Sequence, residues 1–292
     1  MSKATRNRAR NAREQIAAQQ AAARKAEQRR RLLIVGGSVG LVLVIVVAFL
    51  VVKGLAKPAK TPHSGRLPAA VTRNITNVPS SALTSVGTGP LTDASKLPIK
   101  PISDKPLTAG GKPEMLYIGA EYCPFCAAMR WSMAVALSRF GTFGTLKGIH
   151  SSPTDYAPNT STLTFYKQNY SSPYLTFTPV ENENGTRKVL QPTTKAQQAL
   201  WAKFDSSSQG LGYPFIDFGN KVAITGPLYD PKVLAGLTWA QVASKLKNPN
   251  DPVAQAVDGA ANYVTASICK MTGDKPGSVC TAAPIKTIEA KL

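Results

Sequence analysis

Residues 115–140 read MLYIGAEYCPFCAAMRWSMAVALSRF, and this stretch decides the fold that we predict for the chain. It opens with a short apolar run, Met115–Gly119, which is typical of a buried strand. A segment without glycine follows Cys-Pro-Phe-Cys and ends at Gly141, which indicates a helix. The motif C-P-F-C at Cys123–Cys126 is therefore predicted to lie where a strand gives way to a helix.

A cysteine pair in this position is suited to thiol–disulfide chemistry. The first turn of a helix offers unpaired N–H groups and the positive end of the helix dipole, and both stabilise a thiolate at Cys123. Two intervening residues place Cys126 within disulfide reach, and Pro124 is tolerated because its N–H would have no partner there anyway. We therefore expect Cys123 to attack a partner disulfide and Cys126 to resolve the mixed disulfide.

Other interpretations of the motif are weaker. A structural zinc site needs two more ligands, and the remaining cysteines, Cys269 and Cys280, do not form a second C-x-x-C. A purely structural disulfide within C-P-F-C would close so short a loop that it would stabilise little. Covalent c-type heme attachment is excluded because Ala127 stands where a histidine would follow the second cysteine. We expect neither a metal nor a cofactor.

Cys269 and Cys280 follow a different pattern, since one ends a predicted helix and the other follows a loop. In an oxidising compartment we expect them to form a structural disulfide, which the loop-entropy relation values at roughly 2–3 kcal/mol. A second redox pair that acts as a relay is the alternative. Four cysteines permit three pairings, so the sequence alone does not decide between them.

The rest of the chain after residue 113 alternates between strand and helix patterns, which indicates an α/β protein. The predicted strands are 146–150, 163–165 and 174–178, and a hairpin over 213–225 turns at Gly219-Asn220. The predicted helices are 195–204, 238–246 and 253–269, the first two of them capped by threonine.

An uncharged apolar run of 21 residues, Leu32–Val52, is long enough to cross a membrane as a helix. A cleaved signal peptide is the alternative, but its apolar region would be shorter and the 31 residues before this run are too many. Ten Lys and Arg precede the run, which favours a cytoplasmic N-terminus and an extracytoplasmic C-terminal part.

The formal net charge of +19 is concentrated around this span, with +8 in residues 1–31, +7 in 53–112 and only +4 in 113–292. We interpret 1–31 as a cytoplasmic basic tail that touches anionic lipid. Residues 53–112 are rich in proline and are predicted to be an extracytoplasmic linker, with ordered parts where apolar residues are spaced, around Val78–Val86 and Leu91–Ile102. No aromatic residues accompany the basic ones of the tail, so nucleic acid is not an expected partner.

The C-P-F-C helix, followed by Tyr213-Pro214 ahead of a Phe-Ile-Asp-Phe strand, resembles the thioredoxin fold. In that superfamily a cis-proline lies opposite the C-x-x-C pair. The resemblance therefore implies that Pro214 occupies this position and that the Tyr213–Pro214 bond is cis. Pro214 follows Cys123 by 91 positions, more than in thioredoxin, so the resemblance also implies an insertion, which we expect at Tyr156–Gln191.

Four longer stretches are similar to a prokaryotic thioredoxin-like family known as domain of unknown function 929, over about residues 75–285. The family implies a membrane-anchored extracytoplasmic domain but no demonstrated activity. The chain departs from thioredoxin at Tyr117, which replaces a buried aspartate that assists proton transfer. Glu121 is a candidate substitute, and a solvated loop carboxylate is the alternative. The four stretches are MLYIGAEYCPFCAAMRWSMAVALSRFGTF, SSPTDYAPNTSTLTFY, SSPYLTF and AVDGAANYVTASIC.

Together these observations predict a thioredoxin-like α/β domain at 113–292, with an insertion between the C-x-x-C helix and the cis-Pro strand and one transmembrane helix before it. We expect an oxidase- or isomerase-like thiol–disulfide oxidoreductase. Its expected partners are the thiols and disulfides of exported proteins, and a redox protein of the membrane. The alternative is a non-catalytic binding module of the cell envelope on a thioredoxin-like scaffold.

Overall fold

The computed structural model describes residues 65–205 and 210–292 of this protein. The predicted basic tail, 1–31, and the predicted membrane span, 32–52, lie outside the described residues. Within the described part, no helix combines the length and the apolar character that crossing a membrane requires.

The described residues form short strands and helices, which we number in chain order. The strands are β1 (Gly65–Arg66), β2 (Ile99–Pro101), β3 (Thr108–Ala109), β4 (Lys112–Ala120), β5 (Thr142–Phe143), β6 (Lys147–His150), β7 (Ser161–Thr164), β8 (Tyr170–Ser171), β9 (Thr176–Glu183), β10 (Phe215–Phe218) and β11 (Val222–Ile224). The α-helices are α1 (Ala69–Thr76), α2 (Ser80–Val86), α3 (Pro124–Leu137), α4 (Lys195–Phe204), α5 (Trp239–Lys245), α6 (Pro252–Thr272), α7 (Gly277–Cys280) and α8 (Ala283–Glu289). Single 3-10 turns occur at Ala94–Lys96 and Pro231–Leu234.

Strand β4 is the centre of the main sheet. On one side it pairs in parallel with β9, and on the other side it pairs antiparallel with β10. Beyond β10 the sheet continues with β11 and then β2. Ile118 is therefore flanked by Val180 on β9 and Phe215 on β10. A strand with neighbours on both sides and layers on both faces must be apolar throughout, which is why the run Met115–Gly119 lacks polar alternation.

Alternate residues of β4 pack into two separate layers, because successive side chains of a strand point to opposite faces. Leu116 and Ile118 pack with Trp201 and Phe204 of α4 on one face. Met115 and Tyr117 belong to the larger cluster on the other face, which includes α3 and α6. The chain is thus a mixed α/β protein with helices on both faces of its main sheet, as predicted.

The segment between α3 and β9 lies outside the main sheet. Its strands β6 and β7 form a small sheet with β1 from the start of the described chain, and its strands β5 and β8 form a separate pair. We predicted an insertion at Tyr156–Gln191, but the last part of that range contains β9, which is a strand of the main sheet. The prediction of its boundaries was wrong because the apolar pattern of a short strand does not reveal which sheet it joins.

Most of the segment that we predicted to be a linker, 53–112, is folded where the structure describes it. Two of its prolines stand immediately before α1 and α2, so they begin helices instead of extending a tether. Ile75 of α1 and Leu83 of α2 are buried in the large cluster, and β2 extends the main sheet. The predicted boundary at residue 113 therefore lies too late in the chain, and only 53–64 fall outside the described part.

Candidate functional site

The cysteine pair Cys123 and Cys126, which we call the dithiol, lies at the N-terminus of α3, as the sequence predicts. Cys123 is the residue that caps the helix, and its sulfur accepts a hydrogen bond from the backbone N–H of Cys126 at 3.3 Å. Pro124 occupies the first turn. Both thiols are free, and their exposures differ, since Cys123 is 5% exposed while Cys126 is fully buried.

Pro214 lies beside the dithiol because β10, which begins at Phe215, runs antiparallel to β4 and so starts where β4 ends. The Tyr213–Pro214 peptide bond is cis. The carbonyl oxygen of Tyr213 lies 3.9 Å from the Cys123 sulfur and accepts a hydrogen bond from that thiol. The structure therefore brings together the three residues that the sequence singled out, from the two ends of a stretch of 91 positions.

The pKa values of the two thiols are shifted in opposite directions. Interaction with the Cys126 thiol lowers the pKa of Cys123, and this effect outweighs the burial that would raise it. Burial raises the pKa of Cys126 well above its usual range. In the reduced dithiol Cys123 is therefore the thiol that ionises more readily and Cys126 is the one that keeps its proton, which is the order that a nucleophile and a resolving residue require.

A buried ion pair lies one helical turn beyond the dithiol. Arg130 of α3 donates to Glu181 of β9 through Nε at 2.8 Å and Nη2 at 2.6 Å, and both side chains are fully buried. Arg130 Nη2 also donates to the carbonyl oxygen of Ala120, the last residue of β4, at 2.7 Å. Sequence reasoning missed this pair. The available signal was that Arg130 is the one charged residue of the otherwise apolar helix Pro124–Leu137.

Glu121, the candidate substitute for the thioredoxin aspartate, follows β4 and precedes the dithiol. Its carboxylate is partly buried and accepts a hydrogen bond from the Thr164 hydroxyl at 2.7 Å. Burial raises the pKa of this carboxyl. The structure therefore places Glu121 close to the dithiol, but its carboxylate is hydrogen-bonded to Thr164 of β7.

An open groove of about 460 Å³ runs past Cys123. The guanidinium of Arg187 covers the ring of Tyr122 at 3.9 Å and forms a salt bridge with Asp155 at 2.9 Å. The ring of Phe125 stacks on that of Tyr156 at 5.5 Å. The groove is lined by Tyr122, Cys123, Pro124, Phe125, Asp155, Glu183, Arg187, Leu211 and Tyr213.

The other two cysteines, Cys269 and Cys280, are joined by a disulfide that links the C-terminal part of α6 to α7. Both are buried in the large apolar cluster, whereas the dithiol belongs to a separate small cluster with Ala120. Among residues 65–205 and 210–292, no group of three or more His, Cys, Asp or Glu side chains is arranged to hold a metal ion.

Comparison with known proteins gives one match. No curated protein and no solved structure has significant similarity to the chain. A family model described as "Domain of unknown function (DUF929)" matches residues 99–270, which include the dithiol, Arg130, Glu181 and Pro214. Because the match covers more than half of the sequence, the chain belongs to this family of unknown function.

Proposed function

We propose that this protein is a thiol–disulfide oxidoreductase of the cell envelope that uses Cys123 and Cys126 as its redox pair. The observation that carries the proposal is the asymmetry of the dithiol. Cys123 reaches the groove and has a lowered pKa, whereas Cys126 is sealed behind it and has a raised pKa. A structural disulfide needs no such asymmetry.

We also propose that the domain is thioredoxin-like. Two features support this interpretation: the dithiol begins the helix that follows the central strand β4, and a cis-proline stands before the neighbouring antiparallel strand β10. The additional segment between α3 and β9 would then be the insertion that separates this chain from thioredoxin itself.

In the oxidising direction the reaction starts from the Cys123–Cys126 disulfide. A substrate thiolate attacks the Cys123 sulfur, a mixed disulfide forms, and Cys126 leaves as a thiolate that takes up a proton. A second substrate thiolate then attacks the substrate sulfur of the mixed disulfide, and Cys123 leaves as a thiolate. The substrate loses two electrons and the dithiol gains them, so a redox protein of the membrane must reoxidise it. Isomerisation starts instead from the reduced dithiol and consumes no oxidant.

The surface around Cys123 supports a polypeptide substrate. In the described part of the chain, three large apolar side chains are exposed, namely Tyr156, Val189 and Leu211. All three adjoin the groove: Tyr156 stacks on Phe125, Val189 pairs with Glu183, and Leu211 lines the groove itself. Exposed apolar side chains that cluster in one place indicate an interaction site, and here they would bind apolar segments of exported proteins that have not finished folding.

Two observations support the proposed location. The apolar run 32–52 with its basic flank favours a single membrane anchor with a cytoplasmic N-terminus. The Cys269–Cys280 disulfide favours an extracytoplasmic domain, because disulfides persist in oxidising compartments.

Trapping of mixed disulfides tests the function. The full-length Cys126→Ser variant, expressed in its own cell envelope, should accumulate substrates bound to Cys123 that are released by reductant. The Cys123→Ser/Cys126→Ser variant is the matched control and should trap none. If the Cys126→Ser protein is folded and equally free of partners, the redox proposal fails. A reduction potential of the dithiol well below about −270 mV would exclude the oxidising direction specifically.

The apolar rim of the groove also supports a second candidate, a non-catalytic binding module of the cell envelope. In that case Cys123→Ser/Cys126→Ser should retain the phenotype of the parent protein, whereas Leu211→Asp should lose it. Loss of the phenotype in Cys123→Ser/Cys126→Ser favours the oxidoreductase instead, whatever the effect of Leu211→Asp.

A further inference from the structure

When the Cys123–Cys126 disulfide opens, a negative charge forms on the Cys126 sulfur, which water does not reach. The Cys126 side chain is fully buried, and burial makes its thiolate unfavourable. Every attack on Cys123 nevertheless expels Cys126 as a thiolate, which persists until it takes up a proton. A thiol–disulfide reaction is slower when its leaving thiolate is poorly stabilised, so the protein needs a positive charge at this place.

Arg130 is the residue that meets this need. It lies four positions after Cys126 on α3, so the two side chains are neighbours on one face of the helix. Both also contact Ala120: the Arg130 guanidinium donates to its carbonyl oxygen at 2.7 Å, and Cys126 packs against it in the small apolar cluster. The cation and the leaving sulfur therefore flank the same residue of β4.

The orientation of Arg130 is fixed by Glu181. The carboxylate of Glu181 binds Nε and Nη2 of the guanidinium and also accepts the backbone N–H of Phe165 at 3.0 Å. Arg130 Nη1 is buried and has no hydrogen-bond partner. A buried donor without a partner is uncommon and calls for an explanation, and a charge that forms only during the reaction provides one.

The charged and titratable groups around Cys126 come from three elements. Cys123 caps the helix that carries Cys126 and Arg130, Tyr117 of β4 interacts electrostatically with Cys126, and Glu181 of β9 binds Arg130. Arg130 lowers the pKa of both thiols of the dithiol. Glu181 offsets part of the Arg130 charge, but the guanidinium also donates to Ala120 beside Cys126 and keeps Nη1 without a hydrogen-bond partner.

We propose that Arg130, held by Glu181, is a positioning residue that stabilises the Cys126 thiolate released when the dithiol's disulfide is opened. The purpose of this arrangement rests on the proposed function, but the coupling between Arg130 and Cys126 can be measured without any protein substrate.

The test uses the oxidised full-length protein in detergent micelles and reduced glutathione at neutral pH. The glutathione thiolate attacks the Cys123 sulfur, and the rate of opening is followed by acid quenching and mass spectrometry. Arg130→Met/Glu181→Leu removes both charges together, so that neither is left buried alone. The expected result is opening that is about tenfold slower than in the parent. A nearby opposite charge lowers the pKa of a thiol by about 1–3 units, so removing Arg130 makes Cys126 a poorer leaving group.

Two further variants separate this effect from a structural one. Arg139→Met removes another cation, a partly buried one just beyond the end of α3 and roughly 20 Å from Cys126 along the helix, and should leave the rate unchanged. Arg130→Lys keeps the positive charge and should open at a rate close to that of the parent. The limiting rate of Cys123 alkylation at high pH, where the thiol is ionised in every variant, checks that access to the dithiol has not changed.

The inference is overturned if the folded double variant opens as fast as the parent, or if Arg139→Met slows opening equally. Its failure is distinct from failure of the proposed function. Trapping without an Arg130 effect would leave the oxidoreductase standing and remove this role of Arg130. An Arg130 effect without trapped substrates would leave the coupling standing and remove the oxidoreductase.

Discussion

The hydroxyl of Tyr117 lies over Gly119, two residues along the same face of the central strand, so that any side chain at position 119 would overlap it. The hydroxyl is fully buried and has no hydrogen-bond partner. Glycine at 119 therefore makes room for a phenol beside the dithiol.

We expect Tyr117→Phe to leave the free energy of unfolding unchanged or to raise it by up to about 1 kcal/mol, because it removes a buried polar atom that satisfies no hydrogen bond. Gly119→Ala should lower the free energy of unfolding by about 1–3 kcal/mol, since the added methyl displaces the phenol. Urea unfolding measures both. A loss above about 1 kcal/mol in Tyr117→Phe would mean that the hydroxyl has a partner after all.

Because Arg130 and Glu181 form a buried pair, the unfolding free energy lost on replacing one of them should depend strongly on whether the other is present. Arg130→Met alone leaves Glu181 buried without a counter-charge and should cost about 3–5 kcal/mol of unfolding free energy. Arg130→Met/Glu181→Leu should cost much less, because neither charge remains. A double-mutant cycle by urea unfolding gives the coupling, and additive losses would contradict a direct buried pair.

Asp258 of α6 predicts a pH dependence of stability. Burial without a hydrogen-bond partner raises the pKa of this carboxyl to about 8. The unfolded chain ionises it near pH 4, so between about pH 4 and pH 8 the folded state holds one more proton and stability falls as the pH rises. Relative to Asp258→Asn, the parent should lose about 2–4 kcal/mol between about pH 5 and pH 8.

Unfolding of both proteins in urea at the two pH values measures this difference. Asp217, whose pKa burial raises to about 6, is present in both and therefore does not contribute to it. A difference between the proteins that does not change with pH would show that Asp258 is already ionised in the folded state.

The two cysteines of the dithiol should respond differently to alkylation. In the reduced, folded protein, iodoacetamide should modify Cys123 first, because its pKa is lowered and it reaches the groove, while Cys126 reacts only after unfolding. Mass spectrometry of peptides gives the order of modification. Equal rates at the two cysteines would contradict the asymmetry on which the proposed function depends.

The Cys269–Cys280 disulfide should contribute stability but no chemistry. Cys269→Ala/Cys280→Ala should lower the free energy of unfolding by roughly 2–3 kcal/mol, the value for a loop of this length. The yield of mixed disulfides trapped by Cys126→Ser should stay the same. A loss of trapping at unchanged stability would instead favour a relay between the two cysteine pairs.

The sequence predicted the elements that carry strong local signals. The C-P-F-C motif at the start of a helix, the Gly219-Asn220 hairpin and the threonine caps of α4 and α5 are confirmed, because each depends on residues a few positions apart. Residues 65–112 were mistaken for a linker because their prolines suggested an extended chain. In the structure two of those prolines, Pro68 and Pro79, precede helices whose spaced apolar residues pack against parts of the chain that are distant in sequence.

The ion pair beneath the dithiol could not have been derived in the same way. Arg130 and Glu181 are 51 positions apart and meet only because β9 pairs in parallel with β4. Local patterns indicate that a lone arginine in an apolar helix needs a partner, but they do not say which of the 16 acidic residues supplies it.

Under the proposed membrane anchor, the pairing of β1 with β6 would limit how far the redox site can lie from the lipid surface. Because Gly65 belongs to that pairing, at most the twelve residues 53–64 would connect it to the bilayer. Twelve residues span at most about 40 Å when fully extended. Such a short tether would keep Cys123 close to the lipid surface. There it would meet polypeptides as they leave the membrane, before they diffuse away or fold.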